Sequence, residues 1–194
     1  MSGDLLPPQL LYQGKTENCH HKVDFPEEWD IWYSENHWSN ESTMIRFADE
    51  ILIPYVREMH NKLDLPLKQP ALAVFDVFAA HRVNSFLTKL ERAGIKVKFI
   101  PGGCTRELQP LVISGNAQFK DAVKTQFVSW YANQISDQLK CGKSVEECDV
   151  DHKLTAMKPA NARWIISAWE KLKVQTNVIK TGWYRSGMLY EKSK

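Results

Sequence analysis

Residues 70–100 constrain the fold more than any other stretch. Ala71-Leu72-Ala73-Val74-Phe75 is an uninterrupted apolar run between Pro70 and Asp76, the pattern of a strand buried on both faces. Val83, Phe86, Leu87 and Leu90 then recur at helical spacing, and Gly94 can stop such a helix. Ile95-Lys96-Val97-Lys98-Phe99 alternates apolar and basic residues, which predicts a half-buried strand. Strand, helix and strand in that order predict two parallel strands joined by a right-handed crossover, and hence an α/β fold.

The flanking sequence is less regular. Gln9-Leu10-Leu11-Tyr12 reads as a short strand after the Pro7-Pro8 breaker and ends at Gly14. Residues 15–38 show no sustained period and predict a long loop anchored by Phe25, Trp29, Trp32, Tyr33 and Trp38. Ser39 or Asn40 can cap a helix whose stripe is Met44, Phe47, Ile51, Leu52 and Tyr55. Pro54 lies within that stripe and predicts a kink or an early end. Phe119, Val123, Phe127 and Trp130 mark a long helix. Residues 140–158 are polar, and Pro159 is placed to open a last helix with Ala162, Ile165, Ile166, Trp169 and Leu172 on one face.

A chain of 194 residues with 43% hydrophobic and 25% charged residues is ordinary for one globular domain rather than a disordered segment. No apolar run approaches the roughly 20 residues that cross a bilayer, and Met1 to Pro8 has neither the basic nor the long apolar region of a cleaved signal. Charge is uneven. Residues 1–70 hold 6 Lys/Arg against 12 Asp/Glu, and residues 71–194 hold 19 against 11. A basic C-terminal part can meet phosphates, or simply be the solvated face of long helices. Cys19, Cys104, Cys141 and Cys148 include no C-x-x-C pair. Cys19-His20-His21 lacks a second ligand pair at finger-like spacing, so reduced thiols fit better than a zinc site.

Four segments together resemble the DDE superfamily endonuclease domain of pogo-type transposases, the group of the Tigger and jerky elements and centromere protein B. They are Leu6-Pro7-Pro8-Gln9-Leu10-Leu11-Tyr12-Gln13-Gly14-Lys15-Thr16, Val74-Phe75-Asp76-Val77-Phe78-Ala79-Ala80-His81, Gly103-Cys104-Thr105 with Leu108-Gln109-Pro110-Leu111 and Asn116, and Lys158-Pro159 with Arg163-Trp164, Gly182 and Gly187. They run in the family's order and span nearly the whole chain, as one partial domain over 1–194. Its core covers 6–140 and a C-terminal helical extension covers 155–190.

The resemblance implies an RNase H-like fold, a mixed sheet with flanking helices, here lacking its opening strands. It implies a nuclear, DNA-binding protein of a family that uses Mg²⁺ or Mn²⁺ to cleave and transfer strands. Two such ions about 3.5–4 Å apart need several carboxylates to neutralise and bridge them. Carried over residue by residue, the second acid is Asp76, a remnant able at most to bind metal weakly. The third-acid position is Val112, and valine offers no oxygen to a hard cation. The first acid would lie upstream of residue 6. Glu107 is acidic, but it precedes the Leu108–Leu111 turn and needs a rearranged loop to substitute. The expectation is therefore a catalytically inactive domain that binds no metal productively.

Arg82, Lys96, Lys98, Arg106 and Lys120 flank the strand ends where the family's DNA would lie, as candidates for non-specific backbone contacts. They are equally readable as solvated charges. Asp76 can instead cap the helix opening near His81, and His81 fits a packing role better than a phosphate contact. Gly102 and Gly103 read as a turn first and a phosphate-binding loop second. The tryptophans read as core rather than stacking platforms. The strand Ala71–Phe75, unpaired on one side, offers an edge for a homo-oligomer, so a protein-interaction or oligomerisation module is the competing expectation.

Overall fold

The computed structural model describes residues 2–19, 23–66 and 68–189. His20 and His21 of the Cys19-His20-His21 tract lie outside these, as does Tyr190 at the end of the expected helical extension. The described residues form two small parallel sheets with helices around and after them. Strand β1 (Gln9–Gln13) pairs in parallel with β2 (Asp30–Ser34). Strand β3 (Ala71–Phe75) pairs in parallel with β4 (Ile95–Phe99) in the register Ala71↔Ile95 to Phe75↔Phe99. The α/β class and the parallel pair stand as expected. The strands make two separate pairs, however, and not one continuous mixed sheet.

Strand β2 corrects the expectation of a loop over 15–38. Its apolar centre is only Ile31-Trp32-Tyr33, and both ends, Asp30 and Ser34, are polar yet buried. The alternation that would have marked a strand is hidden, because Asp30 enters the interior with its own partners. Oδ1 accepts from Arg46 Nε at 2.7 Å and Oδ2 accepts from Gln9 Nε2 at 2.7 Å.

Asn40 caps α1 (Glu41–Phe47). Its Oδ1 accepts from Thr43 N–H at 3.1 Å while Thr43 Oγ1 accepts from Asn40 N–H at 2.9 Å, a reciprocal box. Pro54 does not end this helical run. A π-helical turn, Ala48–Leu52, precedes it, and Ile53 N–H bonds Ala48 C=O five residues back. The wider turn relieves the clash a proline ring makes with the carbonyl four residues earlier, and α2 (Ile53–Lys62) continues beyond it.

Helix α3 (Asn84–Arg92) joins β3 to β4 and ends at Ala93-Gly94, where Gly94 has φ +75° and takes the left-handed conformation that ends helices. Phe86 and Leu90 are fully buried with Met44, Ala48, Ile95 and Ala80 in the main core. Ala71, Ala73, Phe75 and Val97 pack on the same core. The other face of the β3–β4 pair carries Leu72, Val74, Lys96 and Lys98. Leu72 is 64% exposed there, so β3 is buried on one face only. An all-apolar strand reads as doubly covered, but among the described residues Leu72 on its second face meets solvent.

Beyond β4 come two short helices, α4 (Thr105–Leu108) and α5 (Pro110–Ile113), and then α6 (Gly115–Lys140), the long helix expected. Helix α7 (Leu154–Lys173) packs against α6 through edge-on contacts of Trp164 with Phe127 and Trp130, centroids 5.7 and 5.6 Å apart. It opens before Pro159 rather than at it. The carbonyl that the proline leaves unbonded is that of Thr155, in the exposed first turn where water can reach it. A further helix, α8 (Thr176–Arg185), follows and crosses α5.

Candidate functional site

Asp76 stands at the C-terminal end of β3. Its Oδ1 accepts from Phe78 N–H at 3.2 Å and lies 2.7 Å from His81 Nδ1. The first bond is a local turn closed by a short acidic side chain. The 3₁₀ turn that follows, Ala79–Arg82, has no side-chain cap, so Asp76 shapes the chain before the turn rather than capping it. A carboxylate only accepts hydrogen bonds, so Nδ1 of His81 donates. The imidazole is fixed by packing as well: its centroid lies 5.0 Å from Phe75 and 5.5 Å from Phe78. This pair was not foreseen; an Asp and a His five residues apart across a tight turn is the signal that could have shown it.

Asp76 and His81 line one end of a cavity of about 590 Å³ beside β3, together with Gln109 and Leu111. Val112, half-buried on α5, follows Leu111 but is not part of this lining, and Glu107 is exposed on α4. Gly103 at φ +81° turns the chain between β4 and α4. Cys104 N–H is already bonded to Pro101 C=O at 3.2 Å, as the turn reading of Gly102-Gly103 requires.

The five basic candidates divide into three places. Arg82 follows the C-terminal end of β3 and Arg106 that of β4. Parallel pairing sets these two ends side by side, next to Asp76. Lys96 and Lys98 project from the solvent face of β4. Lys120 is on the second turn of α6, where it lines a groove with Phe119, Lys124, Phe127 and Trp164. All five are exposed and none forms an ion pair among the described residues. Two other acids, Glu28 and Asp30, are held by cations. Lys173 Nζ lies 3.3 Å from Glu28. Glu28's carboxyl is held below the usual range chiefly by a backbone hydrogen bond; burial opposes this, and Lys173 lowers it further through a hydrogen bond and its charge.

A two-metal centre needs clustered carboxylates. Among the described residues no group of three or more His, Cys, Asp or Glu side chains is placed to hold an ion, and one oxygen of Asp76 is already occupied by Phe78 and His81. The donor set around Asp76 does not fit a divalent pair.

The family model for the DDE superfamily endonuclease matches residues 2–183. The chain belongs to this family. The match runs from before β1 into α8, so Asp76, the α4–α5 turn and the long α6–α7 pair all fall within the DDE domain. No curated protein and no solved structure matches it. Endonucleases of this superfamily generally use divalent metals. No helix among the described residues of this DDE domain is long and apolar enough to cross a membrane.

Proposed function

We propose that this is a transposase-derived, RNase H-like DDE domain of the pogo group that acts in the nucleus, binds DNA through its phosphate backbone and does not cleave it. The observation that carries the reading is the environment of Asp76: a lone carboxylate tied to His81, with Val112 where a third acid is expected. Membership of the DDE superfamily supports DNA as the ligand. Arg82 and Arg106 at adjacent strand ends, Lys96 and Lys98 on β4, and Lys120 beside aromatic rings supply cations for phosphates. Such contacts position DNA without reading its sequence.

The test uses supercoiled plasmid with Mg²⁺ or Mn²⁺, and duplex DNA at several salt concentrations. The expected result is no nicking, with affinity falling steeply as salt rises. If all five cations reach phosphates, the log–log slope is about −4.5. Metal-dependent nicking that disappears in Asp76→Ala would overturn the inactive reading. A second reading, an oligomerisation module, is favoured by one observation: β3 has no strand on its far edge among the described residues. It expects a stable dimer with salt-insensitive, negligible DNA affinity.

A further inference from the structure

Helices α6 and α7 leave an open groove between them, and α6 carries an apolar stripe away from it. Phe119, Val123 and Phe127 form one wall, Met157 and Ile165 the other, and Lys120 and Lys124 stand on the rim. No acid lines the groove, and neither lysine forms an ion pair among the described residues. From Lys120 and Lys124 the helix runs on through Val128, Tyr131, Ile135 and Leu139 at helical spacing. Val128, Tyr131 and Leu139 are exposed, and a continuous apolar stripe in water marks a contact surface. The connection to α7 has the opposite character to the groove rim. Val145 is 71% exposed there, beside Glu146, Glu147, Asp149 and Asp151. Glu147 accepts from Ser144 N–H and Asp151 from Lys153 N–H, which leaves the carboxylates of Glu146 and Asp149 free among the described residues. None of these residues lines the cavity beside β3.

An acidic, apolar tip suits a basic, apolar groove, but one chain cannot bring its own two together. Helix α6 separates Val123 in the groove from Lys140 at the tip by about 25 Å. A second copy can supply the missing half. When two α6 helices run antiparallel with Val128 of each opposite Tyr131 of the other, Lys124 lies opposite Ile135. Lys120 then lies opposite Leu139, next to the connection. The arrangement is two-fold, so the same patch on each chain supplies both halves of the contact. Duplex DNA would engage the two lysines but leave the stripe and Val145 in water, and the acids of the tip would repel its phosphates. We propose that α6, α7 and their connection form the interface of a two-fold dimer. Val145, Glu146 and Asp149 of each copy sit in the groove of the other, against Lys120 and Lys124. Dimerisation withdraws Lys120 from DNA, so the two compete for it.

The test is sedimentation velocity of the full chain without DNA, over a micromolar-to-millimolar dilution series. It compares wild type, a groove variant (Lys120→Glu with Lys124→Glu), a tip variant (Glu146→Lys with Asp149→Lys) and an equimolar mixture of the two variants. Wild type is expected to dimerise. Each variant alone should self-associate about tenfold more weakly or worse, because like charges meet at both contacts. The mixture should recover wild-type dimerisation, since in the mixed dimer each lysine pair again faces an acid pair. A monomeric wild type, a variant that dimerises as well as wild type, or a mixture of folded variants that stays monomeric overturns the proposal. If a variant does not fold, methyl NMR of wild type decides instead: dilution shifts Val123, Val128 and Val145. An unshifted Val145, or shifts confined to Leu72 and Val74 at the β3 edge, would overturn the proposal as well.

Discussion

His81 Nδ1 donates to Asp76 Oδ1 across 2.7 Å, so the residue that the resemblance puts at the family's second-acid position is held as a structural acceptor. Substitutions separate this role from a metal-binding one. Asparagine keeps a carbonyl oxygen for both Phe78 N–H and His81, whereas alanine removes it. Asp76→Ala is expected to cost about 1–2 kcal/mol in urea unfolding, because two donors lose their partner, and Asp76→Asn distinctly less. Equal losses would show that the negative charge, not the acceptor, is what the fold uses. A rise in melting temperature with Mg²⁺ that Asp76→Asn abolishes would return Asp76 to metal binding.

The ion pair of Asp30 with Arg46 gives a larger expected effect. The Asp30 side chain is 2% exposed, and Arg46 also lies over the Trp32 ring, 4.0 Å from its centroid. Removing the guanidinium strands a buried carboxylate whose other oxygen has only Gln9. Arg46→Met is expected to destabilise by about 3–5 kcal/mol. The double change Arg46→Met with Asp30→Leu should recover part of that loss, since the desolvated charge goes as well. A double variant no more stable than Arg46→Met would place the cost in lost packing on Trp32.

Legibility in the sequence followed how local the determining physics was. The β3–α3–β4 unit could be read because its apolar spacing, Gly94 and the alternation of Ile95 to Phe99 each act within a few residues. Strand β2 could not, because burial of Asp30 depends on Arg46 and Gln9, which come from two other elements. The continuation of the helix past Pro54 was hidden for a related reason: the π turn at Ala48–Leu52 that accommodates the proline is a backbone adjustment with no side-chain signature. At the site, Asp76 and Val112 are singled out by the family resemblance alone, as expected acid positions. The pairing of Asp76 with His81 is a matter of turn geometry, and the cavity beside β3 reflects what does not pack there, which periodicity does not report.

Two glycines should respond differently to a methyl group. A Cβ on Gly182 would run into the Pro110 carbonyl and the Ser114 hydroxyl, where α8 crosses α5. A Cβ on Gly102 would meet only Val77 Cγ2 at 3.8 Å, an ordinary contact. Alanine favours a helix over glycine by about 1 kcal/mol, yet overpacking of backbone costs about 1–3 kcal/mol. Gly182→Ala is therefore expected to lower the melting temperature, and Gly102→Ala to leave it nearly unchanged. A neutral Gly182→Ala would mean that the α5–α8 crossing yields easily.

Tyr55 makes the alkaline limb of stability a test of the cavity wall. Burial pushes its hydroxyl above the ordinary tyrosine value, and the negative charge of Asp4 pushes the same way. A hydrogen bond with Ser2 opposes them, and Glu58 adds a small further rise. Burial also raises Tyr12. A raised folded value means that the native chain holds the proton more tightly than the unfolded chain. The associated stability is complete below about pH 10, the unfolded value, and is lost as pH climbs from there through the folded value. Denaturant midpoints of the wild-type chain should thus be insensitive to these groups at neutral pH and decline above about pH 10. Tyr55→Phe removes one titrating group, so its decline is expected to be shallower, and Tyr12→Phe with Tyr55→Phe shallower still. Asp4→Asn should act through the same hydroxyl, reducing the wild-type decline while leaving that of Tyr55→Phe unaltered. If Asp4→Asn changed both equally, the Ser2–Asp4 segment would not lie against α2 at the mouth of the cavity.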